Sequence, residues 1–231
     1  MNPAPERVLA NLGEVRDRIA QAARRSGRTP DAVRLVAVTK TVPVETIRIL
    51  LEAGQADIGE NHAQQIRDRA RELAGLAVRW HMIGRLQRNK VKYVVPAAAR
   101  IHSVDSVRLA EEISKRAAAA GARATCLVEV NVSGEEAKGG VAPAEAPRIA
   151  AEIAALPSVD LVGLMTMAPL AETGETGRPV FAALRECLAR VNREADLEKP
   201  LTELSMGMTQ DYETAVEEGA TIVRVGTALF R

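Results

Sequence analysis

The chain of 231 residues is 47% hydrophobic and 26% charged, enough material for one folded core of α/β-barrel size over residues 1–231 and too apolar for an extended disordered chain. With 31 basic against 30 acidic residues the formal net charge is +1, so no global field recommends nucleic acid or an anionic membrane as partner. Five aromatic residues, Trp80, Tyr93, Phe181, Tyr212 and Phe230, are too few for a base-stacking platform.

In chain order, an amphipathic stretch over about residues 4–25 comes first and predicts a helix; it has no apolar leader. No later window approaches the roughly 18 apolar residues of a membrane-spanning helix, and a cytoplasmic protein is expected. Short β-branched runs then recur at "RLVAVT" (34–39), "DIG" (57–59), "VRWHMIG" (78–84), "RIHSV" (100–104), "TCLVEVNV" (125–132), "LVGLMTM" (161–167), "TELSMG" (202–207) and "TIVRVGT" (221–227). Between them lie Ala/Arg/Glu-rich segments of helical period, including "VETIRILLEAG", "SVRLAEEISKRAAAAG" and "PVFAALRECLARVNREA". Asp105-Ser106 offers a cap, Pro43 and Pro179 suit first turns, and Gly54 and Gly121 suit helix ends. "RLQRNKVK" (85–92) reads as a basic face on a helix.

Strand starts roughly 20 to 40 residues apart are the rhythm of parallel βαβ units. Eight such units predict a closed (β/α)8 TIM barrel with an extra N-terminal helix; an open doubly wound sheet is the other arrangement, but no GxGxxG follows the first strand. Cys126 and Cys187 sit in apolar runs without a CxxC pair, so buried free thiols are expected.

Barrel chemistry collects at the C-terminal strand ends, and here several apolar runs carry or end on single polar residues, among them Lys40, His81 and Arg224. Alternate residues share a face. Val36, Val38 and Lys40 therefore form one row, and Ile222, Arg224 and Gly226 another, on strands that become neighbours when the barrel closes. Lys40 is then either a rim residue with its charge in water or an amine facing a cavity beside a fixed cation, where its pKa falls and it can attack a carbonyl. Ser205, Gly207 and Thr209, with Gly226-Thr227, supply hydroxyls and close-approach glycines after strands seven and eight, the ingredients of a phosphate site. Together these suggest a phosphorylated aldehyde as ligand.

The series "LVAVTKT", "IGENHAQQ", "WHMIGRLQRNK", "IHSVDS", "VNVSGEEAKGG", "GLMTM", "SMGMTQDYETAVEEGAT" and "VRVGTALF" resembles, in order and over about residues 33–230, the pyridoxal phosphate homeostasis (YggS/PROSC) family. The resemblance implies a barrel like the N-terminal domain of alanine racemase, with pyridoxal 5′-phosphate held as an internal aldimine on Lys40. It implies Ser205, Gly226 and Thr227 as phosphate ligands, Arg224 facing the pyridine nitrogen, and Asn61, His81 and Met167 as pocket wall. It further implies a non-catalytic carrier, monomer or weak dimer, that buffers vitamin B6 or delivers it to dependent apoenzymes. Related racemases add a tyrosine from a second domain, for which this chain has no evident counterpart. An amino acid racemase or decarboxylase using the same cofactor is the enzymatic alternative, and a cofactor-free Schiff-base aldolase a third. "GEEAKGG" (134–140) fails as a nucleotide loop for want of its lysine, although Lys138 is a possible second amine site. His62, His81 and His102 lack metal-ligand spacing, so no metal is expected.

Overall fold

The computed structural model describes residues 3–134, 139–169 and 174–231. Among these, β1 (Arg34–Val38), β2 (Asp57–Glu60), β3 (Arg79–Met82), β4 (Ala98–Val104), β5 (Ala124–Glu129), β6 (Val159–Met165), β7 (Glu203–Ser205) and β8 (Ile222–Val225) pair in parallel and in chain order. β8 closes the barrel on β1, with Arg34 opposite Ile222 and Val36 opposite Arg224. This closure excludes the open doubly wound sheet, whose edge strands would carry unpaired backbone groups.

Around the sheet lie α1 (Pro5–Arg25), α2 (Val44–Glu52), α3 (Ala63–Glu72), α4 (Val91–Val94), α5 (Val107–Ala119), α6 (Ala146–Ala154), α7 (Arg178–Glu194), α8 (Tyr212–Glu217) and α9 (Thr227–Phe230). α1 buries Val8, Leu12, Val15 and Ile19, one residue every three or four, and lies across α2, α8 and α9. Among the described residues no helix is long and apolar enough to cross a membrane.

Most punctuation falls where the residue types predict. Pro179 occupies the first turn of α7, and Gly54 and Gly121 follow α2 and α5 with φ of 75° and 64°. Two expectations need correction. Ser106 is the N-cap of α5, yet its hydroxyl donates to Asp105 Oδ1 at 3.0 Å and makes no cap bond. "RLQRNKVK" is not one helix: only Arg88–Lys90 forms a 3-10 turn before α4. Lys90 and Lys92, with Arg67, gather over the Tyr93 ring at 5.8, 5.1 and 4.8 Å, so the run does not present a solvated basic face.

Alternation along the strands splits the apolar residues into two layers. Leu35, Ala37, Val223 and Val225 join the main core between sheet and helices. Val36, Val38 and Ile222 are equally buried but belong to the barrel interior, the layer into which β1 and β8 also turn Arg224. Strand spacing depends on a glycine at one point, because a Cβ built on Gly163 would stand 1.9 Å from the backbone oxygen of Glu203 on β7. Gly163→Ala should therefore force β6 from β7 and destabilise the protein by more than about 3 kcal/mol, read as a fall in the urea midpoint.

Candidate functional site

Reading the inward row of each strand from the N-terminal mouth upward gives a polar interior. At the bottom, Asp57 accepts from Arg79 at 2.6 and 3.0 Å, and Glu203 accepts from Arg100 at 2.6 and 2.8 Å. Arg34 lies between the two carboxylates, 3.8 Å from Asp57 and 3.5 Å from Glu203. Asp57 Oδ1 also meets His81 Nε2 at 2.9 Å. Burial pushes this carboxyl up, but the bonds from His81 and Arg79 outweigh it and hold Asp57 well below the usual carboxylate range.

From there the contacts climb through the barrel. His81 Nδ1 lies 2.8 Å from His102 Nε2, His102 Nδ1 lies 2.8 Å from Ser205 Oγ, and Arg224 Nη1 donates to the same Ser205 Oγ at 2.6 Å. A second Arg224 bond runs from Nη2 to the backbone oxygen of Thr166 at 2.9 Å. Arg224 is only 4% exposed. Its burial brings the guanidinium pKa down to about 10, against the opposing attraction of Asp211 and Glu129, so it stays cationic at neutral pH. Burial likewise holds both imidazoles below their ordinary value, His102 well below.

Above this interior stands the rim. Lys40 is exposed in the β1–α2 loop, two residues beyond the end of β1. Its flanks are clamped from α3: Arg69 donates to the backbone oxygens of Thr39 at 3.0 Å and Val42 at 2.6 Å and pairs with buried Glu60, while Gln65 donates to the Lys40 oxygen at 3.2 Å. Thr39 completes the clamp with a hydroxyl bond to Glu60. At the top of β8 the Gly226 N–H donates to Thr209 Oγ1 at 3.3 Å. A Cβ on Gly226 would lie 3.2 Å from the Val38 oxygen, so glycine lets β8 approach β1 closely here.

Of the residues singled out from sequence, Arg224 stands on β8 and Lys40 in the loop that leaves the adjoining β1, and Gly226 and Thr209 meet after β8, with Thr227 next in the chain. Asn61 follows β2 half-buried, its backbone against Gly84, and Met167 stands after β6 at 38% exposure. His81 is wholly buried with both ring nitrogens engaged, so it supports the interior and does not present a bare nitrogen. The Ser205 hydroxyl is likewise spent on His102 and Arg224. Lys138 lies outside the described residues. Cys126 and Cys187 are buried free thiols, and burial pushes Cys126 up to about 12. Among the described residues no group of three or more His, Cys, Asp or Glu is gathered to hold a metal. Sequence reasoning missed Asp57 and His102 as members of the site, and it missed the Arg69–Glu60 clamp. The parity rule that paired Lys40 with Arg224, applied to β2, β3, β4 and β7, would have found the first two.

The chain matches the family described as "Alanine racemase, N-terminal domain" over residues 10–231. A curated relative from Aquifex aeolicus, named "Pyridoxal phosphate homeostasis protein", is 45% identical over 219 residues, covering 95% of each chain. The solved structure of PipY from Synechococcus elongatus PCC7942 with PLP bound is similar at a TM-score of 0.84 and 34% identity, over 97% of this chain and 100% of that one. An alanine racemase from Clostridium difficile 630 shares the fold at 14% identity and a TM-score of 0.72, with this chain spanning 56% of its length.

The buried imidazoles carry a pH dependence whose sign is set. Neutral in the fold and protonatable when unfolded, they let the unfolded chain bind more protons once pH falls below ~6.5, so stability is complete above that value and is lost toward the depressed folded values. Each histidine should contribute a slope of up to about 1.4 kcal/mol per pH unit. Urea unfolding at pH 7.5, 6 and 5 measures it, and His102→Gln should reduce the slope.

Proposed function

The chain belongs to the pyridoxal phosphate homeostasis proteins, within the alanine racemase N-terminal domain family, and from that premise we propose that it holds pyridoxal 5′-phosphate on Lys40 and buffers or delivers it without turning over a substrate. The observation that supports the residue assignment best is the β1–β8 register, with Val36 opposite Arg224, because the loop that carries Lys40 leaves β1 beside the strand that carries the buried guanidinium.

When bound, the cofactor supplies an aldehyde that an amine captures reversibly, a pyridine ring that can accept electrons, and a phosphate dianion. The residues present fit all three. Lys40 offers a primary amine in a clamped loop open to solvent, where a ligand can enter and leave. Thr227, Thr209 and the Gly226 N–H, which lies 3.3 Å from Thr209 Oγ1, offer donors of the kind a phosphate needs, and the absence of a Cβ at Gly226 keeps the β8–β1 approach close there. Asn61 and Met167 flank the mouth. Ser205, which the resemblance assigns to the phosphate, bonds to Arg224 and His102 in this structure.

Arg224 supports the absence of turnover. A fixed cation at the ring nitrogen opposes protonation there and weakens the ring as an electron sink, which disfavours carbanion chemistry. Neither tyrosine supplies a proton donor in the interior. Tyr212 belongs to the layer outside the sheet beneath Arg18, and Tyr93 packs on that layer under its cations. The receivers of the cofactor in this reading are dependent apoenzymes.

The test is the visible spectrum of the wild type and of Lys40→Ala on adding pyridoxal phosphate, followed by borohydride trapping and peptide mapping. The wild type should show a new absorption band with the label on Lys40, and Lys40→Ala should lose both. An adduct that persists unchanged in Lys40→Ala sinks the assignment. Racemisation or decarboxylation of any amino acid at an enzyme-like rate sinks the carrier reading.

A further inference from the structure

The interior of the barrel connects Arg224 to Asp57, at the N-terminal mouth, through two histidines and a serine. The direction of every proton in that line is forced. Asp57, an ionised carboxylate, only accepts, so His81 donates to it from Nε2 across 2.9 Å. A neutral His81 then has a lone pair at Nδ1, so His102 donates from its own Nε2 across 2.8 Å. A neutral His102 has its lone pair at Nδ1, and the Ser205 hydroxyl must donate there across 2.8 Å. That leaves the Ser205 oxygen to accept from Arg224 Nη1 at 2.6 Å. Reversing any one tautomer would set two protons or two lone pairs against each other in a region that water does not reach.

A line of this kind fixes geometry more tightly than a surface ion pair. His81, His102 and Ser205 are at most 1% exposed, and Arg224 has two of its five N–H donors committed, one to Ser205 and one to the Thr166 oxygen. The guanidinium plane is thus held at two points, and its remaining donors have a set direction. Hydrogen bonds in series also polarise one another at low local dielectric, so the anion at one end and the cation at the other reinforce the same order.

We propose that Asp57, His81, His102 and Ser205 form a positioning relay that orients Arg224 toward the cofactor ring, and that its integrity sets both the affinity for pyridoxal phosphate and the electronic state in which the ring is held. This rests on the reading that Arg224 faces the ring nitrogen. The relay residues act through Arg224 and are positioning residues, with no part in attachment at Lys40.

The experiment titrates the full chain with pyridoxal phosphate and records the absorption maximum, the dissociation constant and borohydride labelling of Lys40. His102→Leu, which removes a donor and an acceptor together, should shift the absorption maximum and weaken binding about tenfold while labelling of Lys40 at saturation persists. His102→Gln, with one donor and one acceptor, should restore most of both. Arg224→Leu separates the two layers of the reading. If it leaves spectrum and affinity as in the wild type, the assignment of Arg224 to the ring fails; if it changes them while His102→Leu does not, the relay fails alone. A measurement on the wild type guards against a variant that does not fold. Nitrogen-15 spectra of the histidine side chains should show both His81 and His102 as Nε2–H tautomers, and an Nδ1–H tautomer at either position overturns the relay.

Discussion

A guanidinium sealed inside an eight-stranded barrel, at 4% exposure, is the constraint around which the interior is arranged. Taking such a charge out of water costs several kcal/mol unless partners replace the lost hydration. The direct partners of Arg224 are neutral: a serine hydroxyl and a backbone carbonyl. A carboxylate bound face to face would neutralise the cation and leave little of its field for a ligand. The carboxylates that attract this cation, Asp211 and Glu129, make no hydrogen bond to it, and the line from Ser205 through His102 and His81 to Asp57 keeps each intervening polar group satisfied while the positive charge remains available at the upper end. Burial keeps both imidazoles neutral, against the pull of Asp57 on His81.

The rim meets the opposite demand. An amine that must capture and release an aldehyde has to be reachable, and Lys40 is exposed in a loop. Loops are the least ordered parts of a barrel, yet this one is fixed at Thr39, Lys40 and Val42 by backbone bonds from α3. The Arg69–Glu60 pair beneath it is largely buried, so withdrawing either partner would leave an uncompensated charge under the lysine. Access belongs to the side chain and rigidity to the backbone around it. In the proposed function this division matches a reversible holder: attachment takes place at an open edge, and the electronic character of the bound ring is set from the closed interior.

Much of this was legible along the chain. Apolar runs at βαβ spacing predicted the barrel and its strand order, and parity predicted that β1 and β8 turn Val36 and Arg224 inward together. The collinear motifs pointed to the family. The errors have local causes. The basic run at 85–92 has helical composition, but a tyrosine outside it collects its charges. Ser205 follows the inward row of β7, where its hydroxyl meets His102 and Arg224, contacts that no neighbouring residue in the chain announces.

The sequence by itself determined which elements form, their order, and which residue types stand at each strand end, because helical and strand periods and turn chemistry depend on neighbours a few positions apart. What each inward polar residue bonds to was decided only by the tertiary structure. His102 and Ser205 are separated by 103 positions, and Arg224 and Thr166 by 58. No local pattern encodes such pairs. They arise when closure of β8 on β1 brings the inward rows of all the strands around one axis, where every buried polar atom must find a partner among those opposite it.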